Sequence, residues 1–413
     1  MASQRPTIEL GTVLIVGGCG FLGWNIVNQL LDFPSETDAS VALPRIENDA
    51  RFEYPPLKGR YPKYENTQVH VVDLRITNNR LPGAEYHQGD LTSVTSMLEV
   101  FRKVQPDVVI HTAAPVPLGS TDEMLRKVNV DGTRTLVEVA SGVHGDWGKK
   151  CEAFVYTSSS SVVHDTRSDL INVNEDWPYV RGKLQGEYYS ETKGLAEELV
   201  LKANKTNPSG MLTCAVRPAG IMGEKDTLLS YKMLEQGYLG SNLSLRFQLG
   251  ENNNLFDFTY VGNVAHGHLL AARGLLASAA RYQIGKDAPL DYERIDGEAF
   301  NLTNDAPMYF WDFVHALWAL LDRPVDPSEV WPLPEGLLQI IGGIAEGVFA
   351  LLGRTPRLNR KVVRYSCMTR FFSCRKAKER LGYEAVVGMP EAIARTVSYW
   401  VANYHPASGK KTQ

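Results

Sequence analysis

Short runs of β-branched and other apolar residues alternate, along the first half of the chain, with longer stretches of helical periodicity. Buried strands are predicted where these runs occur, at 12–16, 69–74, 107–111, 153–157 and 212–218. Helices are predicted directly after the first run and at 92–103, 122–141 and 186–204. This alternation is typical of a parallel sheet with helices on both faces. The predicted fold class is therefore α/β, a Rossmann-type doubly wound parallel sheet with a smaller C-terminal lobe.

The same pattern suggests two domains. Residues 1–221 would form the sheet domain, and residues 222–413, where the alternation loosens into short strands, helices and loops, would form a lobe that covers the substrate. Residues 33–66 interrupt the first domain with five prolines, many charges and little periodicity. They are interpreted as an inserted surface loop that is partly disordered.

Composition narrows the class of protein. The chain has 413 residues, 43 Lys and Arg against 47 Asp and Glu, and a formal charge of −4. No basic run is present that could carry phosphate contacts along a nucleic acid, so a nucleic-acid partner is not expected. The five cysteines are scattered, which indicates reduced thiols, and no cysteine and histidine spacing predicts a metal site.

A glycine-rich turn follows the first predicted strand. Gly17, Gly20 and Gly23 form a G-x-x-G-x-x-G pattern, with Phe21 and Leu22 opening the next helix. Glycines here let the backbone approach a pyrophosphate closely, and the first N–H groups of the helix then point at that anion. Because a strand precedes the motif and a helix follows it, the motif predicts dinucleotide binding.

Acidic residues near the ends of the following strands suggest how the nucleoside is held. Asp73 ends the strand VHVVD and can accept hydrogen bonds from the adenosine ribose, which favours NAD, whereas the adjacent Arg75 keeps NADP open. Asp73 lies 50 residues after Gly23, and the insert at 33–66 accounts for this long spacing. Asp90, in the tripeptide GDL, is a candidate adenine contact.

Two further patterns suggest oxidoreductase chemistry. Tyr189 and Lys193 stand four residues apart, so on a helix they share a face. An ammonium beside a phenol is expected to lower the pKa of Tyr189 and make it a general base for an alcohol proton. Residues 157–161, TSSSS, end a predicted strand, where a hydroxyl can hydrogen-bond a reacting oxygen.

Together these motifs resemble the 3β-hydroxysteroid dehydrogenase family of the extended short-chain dehydrogenase/reductases. The resemblance runs from about residue 10 to 402, outside the insert. It rests on TVLIVGGCGFLG, HTAAPVP, KVNVDGTRTL, YTSSSSVV, YYSETKGLAEELVLKAN, AVRPAGIMGEKD, NLFDFTYVGNVAHGHLLAA, FNLTNDAPMYFWDF and KAKERLGYEAVV. It is greatest for the branch that oxidises the 3β-hydroxyl of sterol 4α-carboxylates with loss of CO₂, in sterol C4-demethylation.

The resemblance implies roles for individual residues. Ser159, Tyr189, Lys193 and Asn129 would be catalytic, with Asn129 helping to hold a water and the lysine. Cofactor contacts would come from Gly17, Gly20, Phe21, Leu22, Gly23, Asp73, Asp90, Ala113, Tyr189, Lys193, Pro218 and Ile221. It also implies the cytosolic face of the endoplasmic reticulum membrane, with a homodimer or a sterol C4-demethylation complex as the assembly.

The chain differs from the family pattern in one segment near the expected substrate mouth, so the resemblance does not determine the exact substrate. Many family members have G-P-x-D where this chain has Gly223-Glu224-Lys225-Asp226, near the expected substrate mouth. Alternatives are therefore a 3β-hydroxysteroid or triterpenoid dehydrogenase of a specialised pathway and another extended dehydrogenase, such as a nucleotide-sugar epimerase or a flavonoid-type reductase. A non-catalytic dinucleotide sensor is the alternative from a different class, although such sensors tend to lose the Tyr/Lys pair.

The segment 333–352 is unusually apolar. On a helical wheel, the large apolar residues of 337–352 cover one half and the glycines, Gln339 and Glu346 lie on the other. This amphipathic pattern disfavours a lone transmembrane span. Two interpretations remain: an ordinary helix whose apolar face packs on the core, or a helix on a membrane surface that also serves as a sterol-entry lid.

Overall fold

The computed structural model describes residues 5–34, 37, 40–42, 53–117, 119–285, 289–351, 356 and 358–404. In chain order, the strands are β1 (Thr7–Ile8), β2 (Thr12–Val16), β3 (Val41–Ala42), β4 (Glu53–Tyr54), β5 (Lys63–Tyr64), β6 (Gln68–Asp73), β7 (Glu85–Gln88), β8 (Val108–His111), β9 (Ala153–Thr157), β10 (Leu170–Val173), β11 (Leu212–Pro218), β12 (Gly220–Met222), β13 (Phe247–Leu249), β14 (Leu255–Phe256), β15 (Phe258–Tyr260), β16 (Ala299–Leu302), β17 (Met308–Tyr309), β18 (Trp331–Leu333) and β19 (Arg370–Phe372).

The helices complete the secondary structure of these residues. They are α1 (Phe21–Leu30), α2 (Val94–Val104), α3 (Asp122–Leu125), α4 (Thr133–Ala140), α5 (Tyr188–Lys202), α6 (Leu229–Leu239), α7 (Asn242–Leu245), α8 (Val261–Gln283), α9 (Phe310–Leu320), α10 (Glu335–Leu351), α11 (Arg360–Cys367), α12 (Arg375–Leu381) and α13 (Met389–Asn403). A π-helical segment, Arg126–Gly132, joins α3 to α4, and 3₁₀ turns occupy Ser160–Val163, Gly182–Leu184 and Pro327–Glu329.

The central sheet is parallel and has the order β16-β11-β9-β8-β2-β6-β7 in the described part of the chain. Its strands are buried on both faces, since Val13 and Ile15 belong to one apolar core and Leu14 and Val16 to another. Helices α1 and α8 cover the first face, and α2, α4 and α5 cover the second. The α/β fold with a doubly wound parallel sheet is thus confirmed.

Several elements cross the predicted boundary between 1–221 and 222–413. Strand β16 adds an edge to the central sheet, and α8 packs against β9 and β11. In the other direction, β10 joins the four-stranded sheet β10-β19-β14-β17. The division of the chain at these residue numbers stays a prediction.

The interpretation of 33–66 as a surface loop is wrong for four of its described residues, although most of those between 53 and 66 are exposed. Phe33, Leu57, Tyr61 and Tyr64 are buried in the core that contains α8, and Tyr61 is only 1% exposed. Arg60 forms a bidentate ion pair with Glu391 of α13, at 2.5 and 2.9 Å. The sequence around these residues is rich in prolines and charges, and the residues that bury them lie far along the chain. For this reason, local patterns did not predict their burial. Residues 35, 36, 38, 39 and 43–52 lie outside the described residues.

Helix α10 turns its apolar half outward, so the interpretation that this half packs on the core is wrong. Its exposed apolar side chains are Leu337, Ile340, Ile341, Ile344, Val348, Phe349 and Leu351, with Ile340 and Ile344 each 64% exposed. The opposite side faces α11, where Glu346 accepts hydrogen bonds from the Arg360 backbone N–H and guanidinium. Leu352, the last residue of the predicted segment, is not described. No helix among the described residues is long and apolar enough to cross a membrane.

Candidate active site

A cavity of about 1060 Å³ opens at the carboxyl edge of the central sheet. It is bordered by the β2–α1 turn, the ends of β6, β8 and β9, helix α5, the segment after β11, and helices α6 and α13. The predicted site residues that line it are Gly17, Gly20, Phe21, Leu22, Gly23, Asp73, Asp90, Ala113, Ser159, Tyr189, Lys193, Pro218 and Ile221. Asn129 is buried behind the wall. The structure thus brings the predicted residues together, while their individual roles stay predictions.

The glycine-rich turn forms a tightly packed cradle. Gly17 has a φ of 85°, and a Cβ on it would lie 2.7 Å from the backbone N and Cα of Ala113. A Cβ on Gly23 would lie 2.3 Å from the carbonyl oxygen of Gly17. Helix α1 begins at Phe21, so its first N–H groups face the cavity beside this turn. The donors and the open backbone fit a dinucleotide pyrophosphate.

Asp73 fixes the glycine turn as well as facing the cavity. Its Oδ2 accepts a hydrogen bond from the Cys19 backbone N–H at 3.2 Å, and its Oδ1 accepts one from the Arg75 N–H at 3.3 Å. Burial and the charge of Asp73 raise the pKa of the Cys19 thiol to about 11, so Cys19 is a neutral thiol. Asp90 is exposed and accepts from the N–H and hydroxyl of Thr92, both at 2.8 Å.

Lys193 is held from behind by the end of β9. Its ammonium donates to the carbonyl oxygen of Thr157 and lies 4.5 Å from the centre of the Tyr156 ring. The Thr157 hydroxyl donates to Nε2 of His268, at 2.8 Å, while Nδ1–H of the same imidazole donates to the Val264 carbonyl. Lys193 is 2% exposed, and this burial lowers its pKa to about 7.

The expectation that Lys193 lowers the pKa of Tyr189 is contradicted. Burial, followed by the negative charge of Glu187, raises the pKa of Tyr189 to about 12. A phenolate loses its hydration in this wall of the cavity, and Lys193 near neutral pH carries only part of a charge to compensate. The spacing of four residues correctly predicted that Tyr189 and Lys193 share a helix face. It could not predict how deeply Tyr189 is buried, or the effect of Glu187 on its pKa.

Among the serines after β9, the structure distinguishes Ser158 from Ser159. The Ser158 hydroxyl donates to Glu197, a buried carboxylate paired with Arg217 at 2.6 Å. The Ser159 hydroxyl is 2.8 Å from the Ser161 hydroxyl and borders the cavity. Ser159 is therefore the serine available to a bound oxygen, as the resemblance implies.

Asn129 lies in the π-helical segment, where a single helix from 122 to 141 was predicted. Its Nδ2 donates to the Thr192 hydroxyl at 3.0 Å, next to Lys193. Its Oδ1 is buried and has no hydrogen-bond partner among the described residues. An unpaired buried acceptor of this kind suits an ordered water, which fits the role that the resemblance implies.

The far end of the cavity is aromatic. Tyr231 of α6 meets Trp400 and Tyr404, and the last two rings stack at 4.1 Å. The segment Gly223-Glu224-Lys225-Asp226, which differs from the family pattern, is divided between the protein interior and the cavity. The Glu224 carboxylate accepts a hydrogen bond from the Tyr260 hydroxyl. Lys225 borders the cavity and donates to Asn79 at 2.7 Å. Neither these aromatic residues nor His268 is predicted as a site residue from the sequence, although His268 lies inside the stretch NVAHGH that resembles the family.

Comparison with known proteins gives the family. Residues 14–335 match the 3-beta hydroxysteroid dehydrogenase/isomerase family. Sterol-4-alpha-carboxylate 3-dehydrogenases, decarboxylating, are similar along nearly the whole chain. The Saccharomyces cerevisiae protein is 33% identical over 95% of this chain and 98% of its own length, and the human protein is 30% identical over 93% and 86%.

Solved structures agree in fold. UDP-glucose 4-epimerase of Thermotoga maritima has a TM-score of 0.61 and 17% identity, over 95% of this chain and 99% of that chain. The Thermus thermophilus enzyme in complex with NAD has a TM-score of 0.59 and 18% identity, over 95% and 100%. At such identities the likeness concerns the fold alone. On the evidence of the family match and of relatives at 30% identity and above, this chain belongs to the 3-beta hydroxysteroid dehydrogenase/isomerase family.

Proposed function

We propose that this protein oxidises the 3β-hydroxyl of a sterol 4α-carboxylate to a ketone, with a nicotinamide dinucleotide as oxidant and loss of the carboxylate as CO₂. The observation that carries the proposal is the convergence of Ser159, Tyr189 and Lys193 on one wall of the cavity that holds the glycine cradle. The names of relatives that align with nearly the whole chain support the substrate class.

In the first step, the phenol oxygen of Tyr189 takes the proton of the 3-hydroxyl group, and the Ser159 hydroxyl orients that oxygen. The bound nicotinamide supplies the hydride acceptor. Lys193, fixed by the Thr157 carbonyl, places a partial positive charge beside the reacting groups. Because burial raises the pKa of Tyr189 to about 12, the phenol is protonated in the free protein. It must first release its proton to water, favoured by the neighbouring positive charge, and the resulting phenolate then takes the proton of the 3-hydroxyl group.

The second step follows from the product. Oxidation at C3 leaves a ketone β to the 4-carboxylate. The C4–carboxyl bond then breaks, its electron pair moves toward the ketone to give an enolate, and CO₂ leaves. A proton returned to C4 completes the ketone, so this step requires no further side chain.

The aromatic end of the cavity fits an apolar substrate. Tyr231, Trp400 and Tyr404 supply ring faces against which a hydrocarbon ring system could bury its surface. We therefore prefer a sterol to a sugar nucleotide, with a triterpenoid of similar shape as the alternative.

We propose NAD as the preferred dinucleotide. Asp73 stands at the end of β6, the position from which a carboxylate accepts hydrogen bonds from ribose hydroxyls and repels a 2′-phosphate. Arg75 also borders the cavity and keeps NADP as the competing cofactor.

For its location, we propose the cytosolic face of the endoplasmic reticulum membrane, with α10 resting on the lipid surface. The outward apolar half of α10, next to the basic residues Arg360, Lys361 and Arg364 of α11, supports this placement. Fluorescence microscopy of a tagged full chain tests the location. Assembly as a homodimer or in a sterol C4-demethylation complex remains part of the proposal, tested by light scattering and by co-purification.

The activity is tested with purified protein, a 4α-carboxy-3β-hydroxysterol and either NAD or NADP. Equal release of reduced cofactor and CO₂ is expected, faster with NAD. Reduced cofactor without CO₂ would instead indicate a 3β-hydroxysteroid or triterpenoid dehydrogenase that acts on a different substrate. Cofactor binding without either product would contradict the proposal and favour a sensor.

A further inference from the structure

A buried carboxylate lies two residues before Tyr189 and has no role in the chemistry described above. Glu187 directly precedes α5, makes no capping hydrogen bond with its side chain, and is 16% exposed in that side chain. Lys361 of α11 pairs with its Oε1, and the Tyr365 hydroxyl, also from α11, donates to its Oε2 at 3.0 Å. Both partners come from a helix almost 180 residues further along the chain.

A chain of hydroxyl groups runs from this carboxylate to the catalytic serine. The Ser190 hydroxyl is 3.5 Å from Glu187 Oε2 and 2.8 Å from the Ser161 hydroxyl. Ser161 is in turn 2.8 Å from the Ser159 hydroxyl. Two serine hydroxyls, those of Ser190 and Ser161, thus connect Glu187 with the Ser159 hydroxyl that orients the substrate oxygen.

We propose that Glu187 is a positioning residue that ties the catalytic serine and tyrosine to helix α11. The inference rests on the proposed function, whose reaction uses Ser159 and Tyr189. The ion pair with Lys361 keeps the carboxylate charge partly neutralised beside Tyr189. Helix α11 is fixed to α10 by Arg360 with Glu346 at 2.8 Å and Arg364 with Glu335 at 3.3 Å, so the seating of Lys361 depends on the outward-facing helix.

Several charged and titratable groups surround Glu187 and determine its protonation state. Lys361 and Arg370 are the cations that face it, and together with the Tyr365 hydrogen bond they hold the pKa of Glu187 below its usual value although burial raises it. His164 is neutral, because burial and Arg370 lower its pKa to about 4. Tyr189 is the remaining titratable neighbour, and its pKa rises through burial and then through Glu187.

Two substitutions therefore break the same ion pair with opposite effects. Glu187→Gln removes the negative charge, so the ascending limb of the pH profile of kcat/KM should move to lower pH. Lys361→Met leaves the carboxylate unpaired, so the limb should move to higher pH. A shift of half a pH unit corresponds to about a threefold change in rate on the limb. If the residues were merely structural, both substitutions would move the rate in the same direction.

The matched control is Glu191→Gln, which removes a carboxylate equally near Tyr189 in sequence. Among the described residues, Glu191 accepts a hydrogen bond from the Gly182 N–H at 3.4 Å, and it is not among the groups that shift the pKa of Tyr189. Its profile should stay in place, and Lys361→Arg should restore the wild-type profile. Unmoved profiles in both Glu187→Gln and Lys361→Met, or shifts of the same sign, would overturn the inference.

A second measurement separates this inference from the proposed activity. The phenolate absorbance of Tyr189, taken as wild type minus Tyr189→Phe between pH 8 and 11, needs no substrate. Glu187→Gln should increase the ionised fraction at pH 11 about threefold, and Lys361→Met should decrease it. The inference would fail if neither fraction changed, whether or not the protein acts on a sterol carboxylate.

Discussion

Replacing Lys193 with methionine should make the protein more stable at slightly acid pH while abolishing turnover. Lys193 is 2% exposed, and burial lowers its pKa from 10.5 to about 7. A group whose pKa is depressed in the folded state binds its proton more tightly in the unfolded chain. Its charge therefore opposes folding below pH 10.5, most strongly below pH 7, and this penalty fades as the pH rises.

The magnitude follows from the two pKa values. At pH 6.5, the linkage relation gives a cost of about 4–5 kcal/mol for keeping this lysine in the folded protein, and at pH 9.5 about 1 kcal/mol. Methionine removes the charge but leaves the Thr157 carbonyl without its donor, which costs about 1–3 kcal/mol. The expected net gain is about 1–4 kcal/mol at pH 6.5, and by pH 9.5 the gain disappears.

The assay is urea unfolding of wild type and Lys193→Met at pH 6.5, 8 and 9.5, without added dinucleotide. Lys202→Met is the control, because Lys202 lies in the last turn of the same helix and is exposed. Its free energy of unfolding should differ from wild type by an amount that pH does not change. A Lys193→Met difference that is equally independent of pH would refute the reasoning, because no charge penalty would then exist.

Four further variants test the site and the outward face of α10. Tyr189→Phe should abolish turnover and leave dinucleotide affinity within about twofold, measured by kinetics and by fluorescence titration. Gly23→Ala, whose Cβ would lie 2.3 Å from the Gly17 carbonyl oxygen, should weaken dinucleotide binding more than about tenfold in the same titration. Asp73→Asn should raise the ratio of kcat/KM with NADP to that with NAD by about tenfold, and an unchanged ratio would argue against the ribose role. Ile340→Glu combined with Ile344→Glu should reduce co-sedimentation with phospholipid vesicles, whereas Leu184→Glu, at another exposed apolar residue, should not.

Local sequence patterns predicted correctly those features that depend only on residues close together in the sequence. The apolar runs identified β2, β6, β8, β9 and β11, because parallel strands buried on both faces are apolar throughout. The glycine spacing located the cradle, since a tight turn between strand and helix needs contiguous residues. The four-residue step from Tyr189 to Lys193 likewise gave a shared helix face.

Predictions failed where a property depends on contacts between residues far apart in the chain. Leu57, Tyr61 and Tyr64 looked like parts of a polar loop because the partners that bury them, on α8 and α13, come more than 190 residues later. Helix α10 was correctly predicted to be amphipathic, but amphipathicity does not reveal which half faces the protein. Its glycine-rich half packs against α11, and the apolar half is left outward.

The pKa of Tyr189 is another property that depends on residues far apart in the chain. Its lysine is four residues away and visible in the sequence, yet in the folded protein burial and Glu187 raise the pKa of the phenol. The cation that offsets Glu187 comes from Lys361, on a helix that also supports the outward apolar face of α10. If α10 packed differently against α11, the Lys361–Glu187 ion pair would therefore change, and the net charge beside the phenol of Tyr189 would change with it. The motif residues themselves would not need to move. For this reason, the pH profile of the Glu187 and Lys361 variants reports on the fold around the motif, whereas Tyr189→Phe reports only on the motif.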